Sequence, residues 1–174
     1  MVLLVDIMDL RRVCIHEAGH FYLALKYRPA RAVSICISRK VQTDATGAEY
    51  VSVGEAITLE PRDALPKVQV SIRAAGLAAE SLVYKESFED LMGNAAIRRS
   101  IKTDTDNAKR DLEEAGLTVT NEEEFVFSYW RPGFYDALNI LRSSKGKLEC
   151  IADYCLANLD RTILKAELVE KCDL

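Results

Sequence analysis

The sequence predicts an α+β protein that is mostly helical, with a small antiparallel sheet covering one of its helices. Apolar side chains recur at helical spacing over most of the 174 residues, whereas residues 31–38 alternate and are rich in β-branched side chains, as in a strand. The chain holds 8 glycines and 4 prolines. These are too few for a collagen-like or a Pro/Gly-rich disordered chain.

The first half of the chain contains two helical stretches and an extended pair. A helix is predicted over 9–27, with Asp9 as its N-cap and Pro29 marking its end. The strand 31–38 and a second extended run, 48–57, are separated by a polar turn, which predicts antiparallel pairing. A long helix is then expected over about 63–85.

The second half is predicted to be helical. Thr103 or Asp104 is expected to cap a helix that runs to about residue 115 and ends at Gly116. Residues 134–159 are strongly helical, and Thr162 is expected to cap a last short helix.

Composition excludes several classes of protein. Lys and Arg number 23 and Asp and Glu 27, a net charge of −4, so the chain lacks the basic surface of a general nucleic-acid binder. No apolar run approaches the roughly 20 residues that span a bilayer, and residues 1–5 form a poor signal peptide. The five cysteines show no CxxC pair. We therefore expect reduced thiols, a reducing compartment and a cytoplasmic location.

The two histidines of the chain, His16 and His20, lie four residues apart and flank Glu17 in an HExxH motif. One helical turn places both imidazoles on the same face, about 5–6 Å apart at Cβ, which suits two nitrogens on one Zn²⁺. Glu17 is rotated by about 100° from His16, so it lies near the metal without binding it. In this position it is a candidate general base for hydrolysis.

A catalytic zinc needs a third protein ligand and an open position. The chain has no third histidine, so the ligand is expected to be a carboxylate or a thiolate from elsewhere in the sequence. Glu80 is one candidate, because some zincins use a Glu from a later helix.

Several segments, in this order, resemble the peptidase domain of the FtsH-type proteases. Residues 12–20, RVCIHEAGH, match the motif helix of that family, and residues 32–38 are similar to the strand that follows it. Residues 75–80, AGLAAE, resemble its GGxxAE helix, and residues 103–108, TDTDNA, resemble its NDLxxA helix start. Residues 137–170 look like its C-terminal helices.

The resemblance implies a role for each matched residue. Asp104 would be the third zinc ligand beside His16 and His20, with Glu17 as general base and Glu80 orienting a histidine. Glu80 stays open as the rival ligand. Asp104 has an alternative role as well, because a carboxylate at a helix start is a common N-cap. The substrate-side edge strand of the family falls on Gly47, Ala48, Glu49, Tyr50 and Val51.

The chain also departs from that family. The sequence contains no membrane helix and no GxxxxGK[ST] phosphate loop. Because the phosphate loop is missing, we expect hydrolysis by this chain alone to be independent of ATP. Members of the family assemble as hexameric rings, so the resemblance implies that this chain could form a homo-oligomer. A separate ATPase partner is a second possibility. Residues 86–102 form an apparent insertion, whose Arg98, Arg99 and Lys102 are expected to be a solvated face rather than an anion or substrate site.

The sequence therefore predicts a single domain, 1–174, with a zinc-site part over 1–116 and a C-terminal helical part over 117–174. The predicted function is that of a zinc metalloendopeptidase acting on peptides or unfolded chains. The alternatives are a non-proteolytic zinc-binding interaction or regulatory module of the same fold, and a metal-dependent hydrolase of non-peptide amides.

Overall fold

The structure of the protein is a computed structural model. It describes residues 7–27, 29–30, 32–38, 40–43, 49–52, 55–58 and 65–174. Gly47 and Ala48 of the predicted substrate strand lie outside the described residues, as do residues 61–64, in which the long helix was expected to begin.

The described residues form a mostly helical α+β fold with a small antiparallel sheet, which confirms the predicted fold class. The helices are α1 (Ile7–Tyr27), α2 (Pro66–Tyr84), α3 (Phe88–Gly93), α4 (Ala95–Ser100), α5 (Lys102–Glu114), α6 (Glu122–Phe125), α7 (Arg131–Arg142), α8 (Lys145–Leu156) and α9 (Lys165–Cys172), with a π-helical turn (Val126–Trp130) between α6 and α7. The strands are β1 (Ala32–Cys36), β2 (Lys40–Thr43), β3 (Glu49–Ser52), β4 (Glu55–Thr58) and β5 (Thr162–Leu164).

The sheet lies against the helix that bears the HExxH motif. Its strand order is β4-β1-β5, and both pairings are antiparallel. Strands β1 and β4 contact α1, so the sheet covers the motif helix as predicted. Strands β2 and β3 form a separate antiparallel pair. The extended run predicted over 48–57 is therefore two strands, of which β4 pairs with β1.

Helices α1 and α2 approach each other closely at Gly19. A Cβ atom at this position would lie 2.4 Å from the carbonyl oxygen of Ala75 and 2.7 Å from the Cβ of Ala79. Only a glycine lets the two backbones come this near, because any side chain would collide with backbone atoms. The small residues of α2 and Gly19 thus bring the motif helix against α2, where Glu80 lies.

The apparent insertion folds as two short capped helices. Ser87 begins α3 with a capping box that it shares with Asp90, and the Asn94 side chain accepts from the first amides of α4. Four large apolar side chains of this segment, Phe88, Leu91, Ile97 and Ile101, are buried. Arg98, Arg99 and Lys102 are exposed, which agrees with the predicted solvated face.

Helix α5 begins earlier than the sequence indicates. The sequence predicts Thr103 or Asp104 as the cap, but α5 starts at Lys102, and the preceding Ile101 makes no side-chain cap. The reason is that Ile101 also ends α4, so the two helices follow each other directly. Asp104 therefore lies in the first helical turn, where the helix dipole favours a carboxylate.

The C-terminal part packs onto α1 and α2 and contributes a strand to the sheet. Helix α7 contacts α2, and α8 contacts α1. The expectation that Thr162 caps the last helix is wrong, because Thr162 begins β5 and pairs with Cys36 of β1. The helical description of 117–174 is thus incomplete: a strand from this part completes the sheet on α1.

Cys150 and Cys172 form a disulfide that joins α8 to α9. The expectation that all the cysteines are reduced is therefore wrong for these two, and the cysteines no longer argue for a reducing compartment. The pair was missed because cysteines 22 positions apart meet only when α9 folds back on α8. Among the described helices, none has both the length and the apolar character that crossing a membrane requires.

Candidate metal centre

Helix α1 presents His16 and His20 on one face, one turn apart. Their ring centroids lie 4.8 Å apart, and their Nε2 atoms are separated by 3.1 Å. Both rings are largely enclosed by protein, with side-chain exposures of 12% and 10%. The predicted helical spacing of the motif therefore brings two ring nitrogens to a common point.

Asp104 adds a carboxylate oxygen from α5. Its Oδ2 lies 3.1 Å from Nε2 of His16 and 3.4 Å from Nε2 of His20. The three residues form a group whose ligand atoms could hold a metal ion. Among the described residues, no cysteine belongs to this group, which removes the thiolate alternative for this cluster.

The other nitrogen of each imidazole is bonded to an acceptor. Nδ1 of His16 donates to Oε1 of Glu80 at 2.7 Å, and Nδ1 of His20 donates to the carbonyl oxygen of Ile72 at 2.8 Å. A carboxylate and a carbonyl can only accept, so each neutral ring carries its hydrogen on Nδ1. Both Nε2 lone pairs then point at each other and at Asp104, an arrangement that a shared cation stabilises.

Glu80 is held in turn by charged neighbours. Arg12, one turn before His16 on α1, donates from Nε to Glu80 and from its terminal nitrogens to Glu86. Burial disfavours the charge of Glu80, but His16 and Arg12 outweigh it and lower the pKa of its carboxyl group. Glu80 therefore stays ionised and fixes the His16 ring from the side opposite Nε2.

The electrostatics of the cluster favour a cation between its ligand atoms. Burial lowers the pKa of His16, but hydrogen bonds to Asp104 and Glu80 overcome this and raise it well above its ordinary value. The pKa of His20 is also raised, because the charge of Asp104 outweighs the effect of burial. Burial opposes ionisation of Asp104, yet the two histidines lower the pKa of its carboxyl group.

Glycine is required at position 76, where α2 passes the His16 ring. A Cβ atom there would lie 2.4 Å from Nε2 of His16 and 2.5 Å from its Cδ2. The side chain of any other residue would displace the ring from its place beside Asp104. Gly76 thus defines one wall of the cluster.

Glu17 lies beside the cluster without joining it. Its Oε2 accepts a hydrogen bond of 2.7 Å from the backbone amide of Ala56 in β4. Burial raises the pKa of Glu17, although the nearby His20 and His16 act in the opposite direction. A raised pKa suits a carboxylate that must take up a proton and give it back.

The structure brings together five of the residues that the sequence singled out: His16, Glu17, His20, Glu80 and Asp104. Glu49, Tyr50 and Val51 lie in β3, which pairs with β2, whereas the strand that bonds Glu17 is β4. The assignment of substrate binding to residues 47–51 stays a prediction.

Sequence reasoning missed four supporting groups: the Arg12 side chain, the Ile72 carbonyl, the Ala56 amide and Gly76. Arg12 could have been found, because it lies four residues before His16 and so shares its helix face. The two backbone groups leave no signal in side-chain identity. Searches against protein-family models and against curated protein sequences gave no match to this chain.

Proposed function

We propose that this chain is a zinc-dependent metallopeptidase in which His16, His20 and Asp104 bind the metal. The observation that carries the proposal is the spacing of the three ligand atoms, 3.1, 3.1 and 3.4 Å. Tetrahedral zinc with bonds of about 2.0–2.1 Å requires ligand atoms about 3.3–3.4 Å apart. The cluster meets this requirement with small adjustments and with three protein ligands, which leaves the fourth position of a catalytic site.

Zinc in this position would lower the pKa of a water molecule and polarise a substrate carbonyl. The residues of the chain supply the remaining functions. Glu17 accepts the proton of the attacking water on its carboxylate and returns it to the leaving amine. Glu80 and the Ile72 carbonyl hold the two imidazoles in the tautomer that binds metal through Nε2.

An edge of the sheet beside the site supports the substrate class that we propose. Strand β4 is at one end of the order β4-β1-β5 and is bonded to Glu17 through Ala56. An extended peptide can add to such an edge by backbone hydrogen bonds, which carry little sequence information. We expect cleavage of peptides and unfolded chains rather than stable folded proteins, and activity of the 174-residue polypeptide that does not respond to ATP.

The test combines metal analysis with a digest of an unfolded protein. Wild-type chain should hold about one zinc and should cleave the substrate, whereas Glu17→Gln should keep the zinc and lose hydrolysis. Glu113→Gln, an exposed glutamate on α5, is the matched control and should remain active. His16→Ala should lose the metal.

Each other outcome has a defined meaning. Hydrolysis that survives Glu17→Gln contradicts the role of the general base. A wild-type chain that binds zinc but cleaves nothing supports the interaction-module alternative. Iron in place of zinc would also contradict the proposal, because two histidines and a carboxylate are also the ligand set of non-haem Fe(II) oxygenases.

A further inference from the structure

The backbone amide of Ala56 points away from the sheet to which its strand belongs. Within the part of the chain that the structure describes, β4 pairs with β1 alone and lies at the end of the sheet. The Ala56 amide is directed at the Glu17 carboxylate, 2.7 Å away, rather than at β1. An edge amide of this kind normally bonds water or a strand that adds to the sheet.

In the proposed reaction the Glu17 carboxylate takes up and releases a proton while it stays in one position. The hydrogen bond from the Ala56 amide holds it in that position. Backbone atoms of a paired strand are rigid compared with a glutamate side chain, which loses rotamer freedom when it is held. A bond from an amide to an ionised carboxylate is also stronger than a neutral one. The contact uses Oε2, so the second oxygen of Glu17 remains for proton transfer.

We propose that the Ala56 amide is a positioning group for Glu17: it anchors the general base at the edge of the sheet, beside the path of an extended substrate. The catalytic part of this inference rests on the proposed function. It also requires that a bound peptide pairs with other outward-facing groups of β4, because pairing with the Ala56 amide would release Glu17.

The contact itself is tested by hydrogen exchange, without any activity measurement. In the wild-type chain the hydrogen of the Ala56 amide should exchange more slowly than is usual for an amide on an edge strand. Glu17→Ala should accelerate this exchange at least 10-fold. Amides within α2 serve as the internal control and should keep their rates. Unchanged exchange of the Ala56 amide in Glu17→Ala would overturn the inference.

The catalytic consequence is tested by removing the amide hydrogen. Ala56→Pro lacks the donor, and proline is tolerated on an edge strand where the N–H faces away from its neighbour. We expect kcat to fall by up to about 100-fold, with KM and zinc content close to the wild-type values. Thr162→Pro, at the first residue of β5 on the opposite edge, is the matched control and should retain kcat.

A second variant guards against misfolding of the proline variant. Replacing Ala56 by lactic acid turns its amide into an ester, which keeps the methyl group and removes only the hydrogen-bond donor. Full kcat in a folded, zinc-loaded ester variant overturns the inference and leaves the proposed function intact. If the wild-type chain hydrolyses nothing, the proposed function fails, and the exchange experiment still decides whether Ala56 anchors Glu17.

Discussion

Glu80 binds Nδ1 of His16 at 2.7 Å, while Nε2 of the same ring lies 3.1 Å from Asp104. The two carboxylates therefore occupy opposite ends of one imidazole and cannot exchange roles without turning the ring. This relationship supports Asp104 rather than Glu80 as the third ligand in the function that we propose. Asp104 faces the point where both Nε2 atoms converge, and Glu80 holds the ring that faces it.

The first prediction concerns Asp104 as a ligand. Asp104→Ala removes one of the three proposed ligand atoms. Loss of a residue that only hydrogen-bonds a ligand lowers metal affinity by roughly 10–100-fold, so the loss of Asp104 should lower zinc affinity by more than this. Asp106→Ala is the matched control, because this exposed residue of the same helix pairs with Lys102. Isothermal titration with zinc measures both, and equal affinities of the two variants would exclude Asp104 from the site.

The second prediction concerns Arg12, whose effect on the metal passes through Glu80. Arg12→Met leaves Glu80 buried without its guanidinium partner, so the His16 ring is held less firmly and zinc affinity should fall by about 10-fold. Arg11→Met is the matched control, since the adjacent Arg11 pairs with the exposed Asp153. The same titration applies, and an identical small change in both variants would show that Arg12 has no special connection to the site.

The third prediction concerns the close approach of α2 to the His16 ring at Gly76. The Cβ of Gly76→Ala would overlap the His16 ring, which Glu80 holds in place, so zinc affinity should fall at least 10-fold and the free energy of unfolding should fall by about 1–3 kcal/mol. Gly146→Ala, in α8 with open space around the added atom, should stabilise the protein slightly and leave zinc binding intact. Normal zinc affinity in Gly76→Ala would contradict the close approach.

The fourth prediction concerns the link between α8 and α9. Cys150 and Cys172 close a loop of 22 positions, for which the chain-entropy model gives about 3 kcal/mol of stabilisation. Cys150→Ser should therefore lower the free energy of unfolding by about this amount, whereas Cys36→Ser, at a free thiol outside the link, should have little effect. Thiol titration of the unfolded, unreduced protein should count the three free cysteines, Cys14, Cys36 and Cys155. A count of five would contradict the disulfide.

The local parts of the site follow from the sequence. His16, Glu17 and His20 lie within five residues of one helix, and the helical period alone places both imidazoles on one face. The helices themselves were predicted because their apolar residues repeat at the same period.

The non-local parts depend on tertiary structure. Asp104 lies 84 positions beyond His20, and no rule of spacing connects them, so only a resemblance in sequence indicated its role. The packing of α1, α2 and α5 brings its carboxylate oxygen to 3.4 Å from Nε2 of His20. The β5 pairing, the Cys150–Cys172 disulfide and the Arg12–Glu80 contact are of the same kind. Periodicity shows on which face of its own helix or strand a residue lies. These contacts, in contrast, join segments that meet only after the chain has folded. Backbone groups such as the Ala56 amide are identical in almost every residue, so only the fold can reveal which of them binds Glu17.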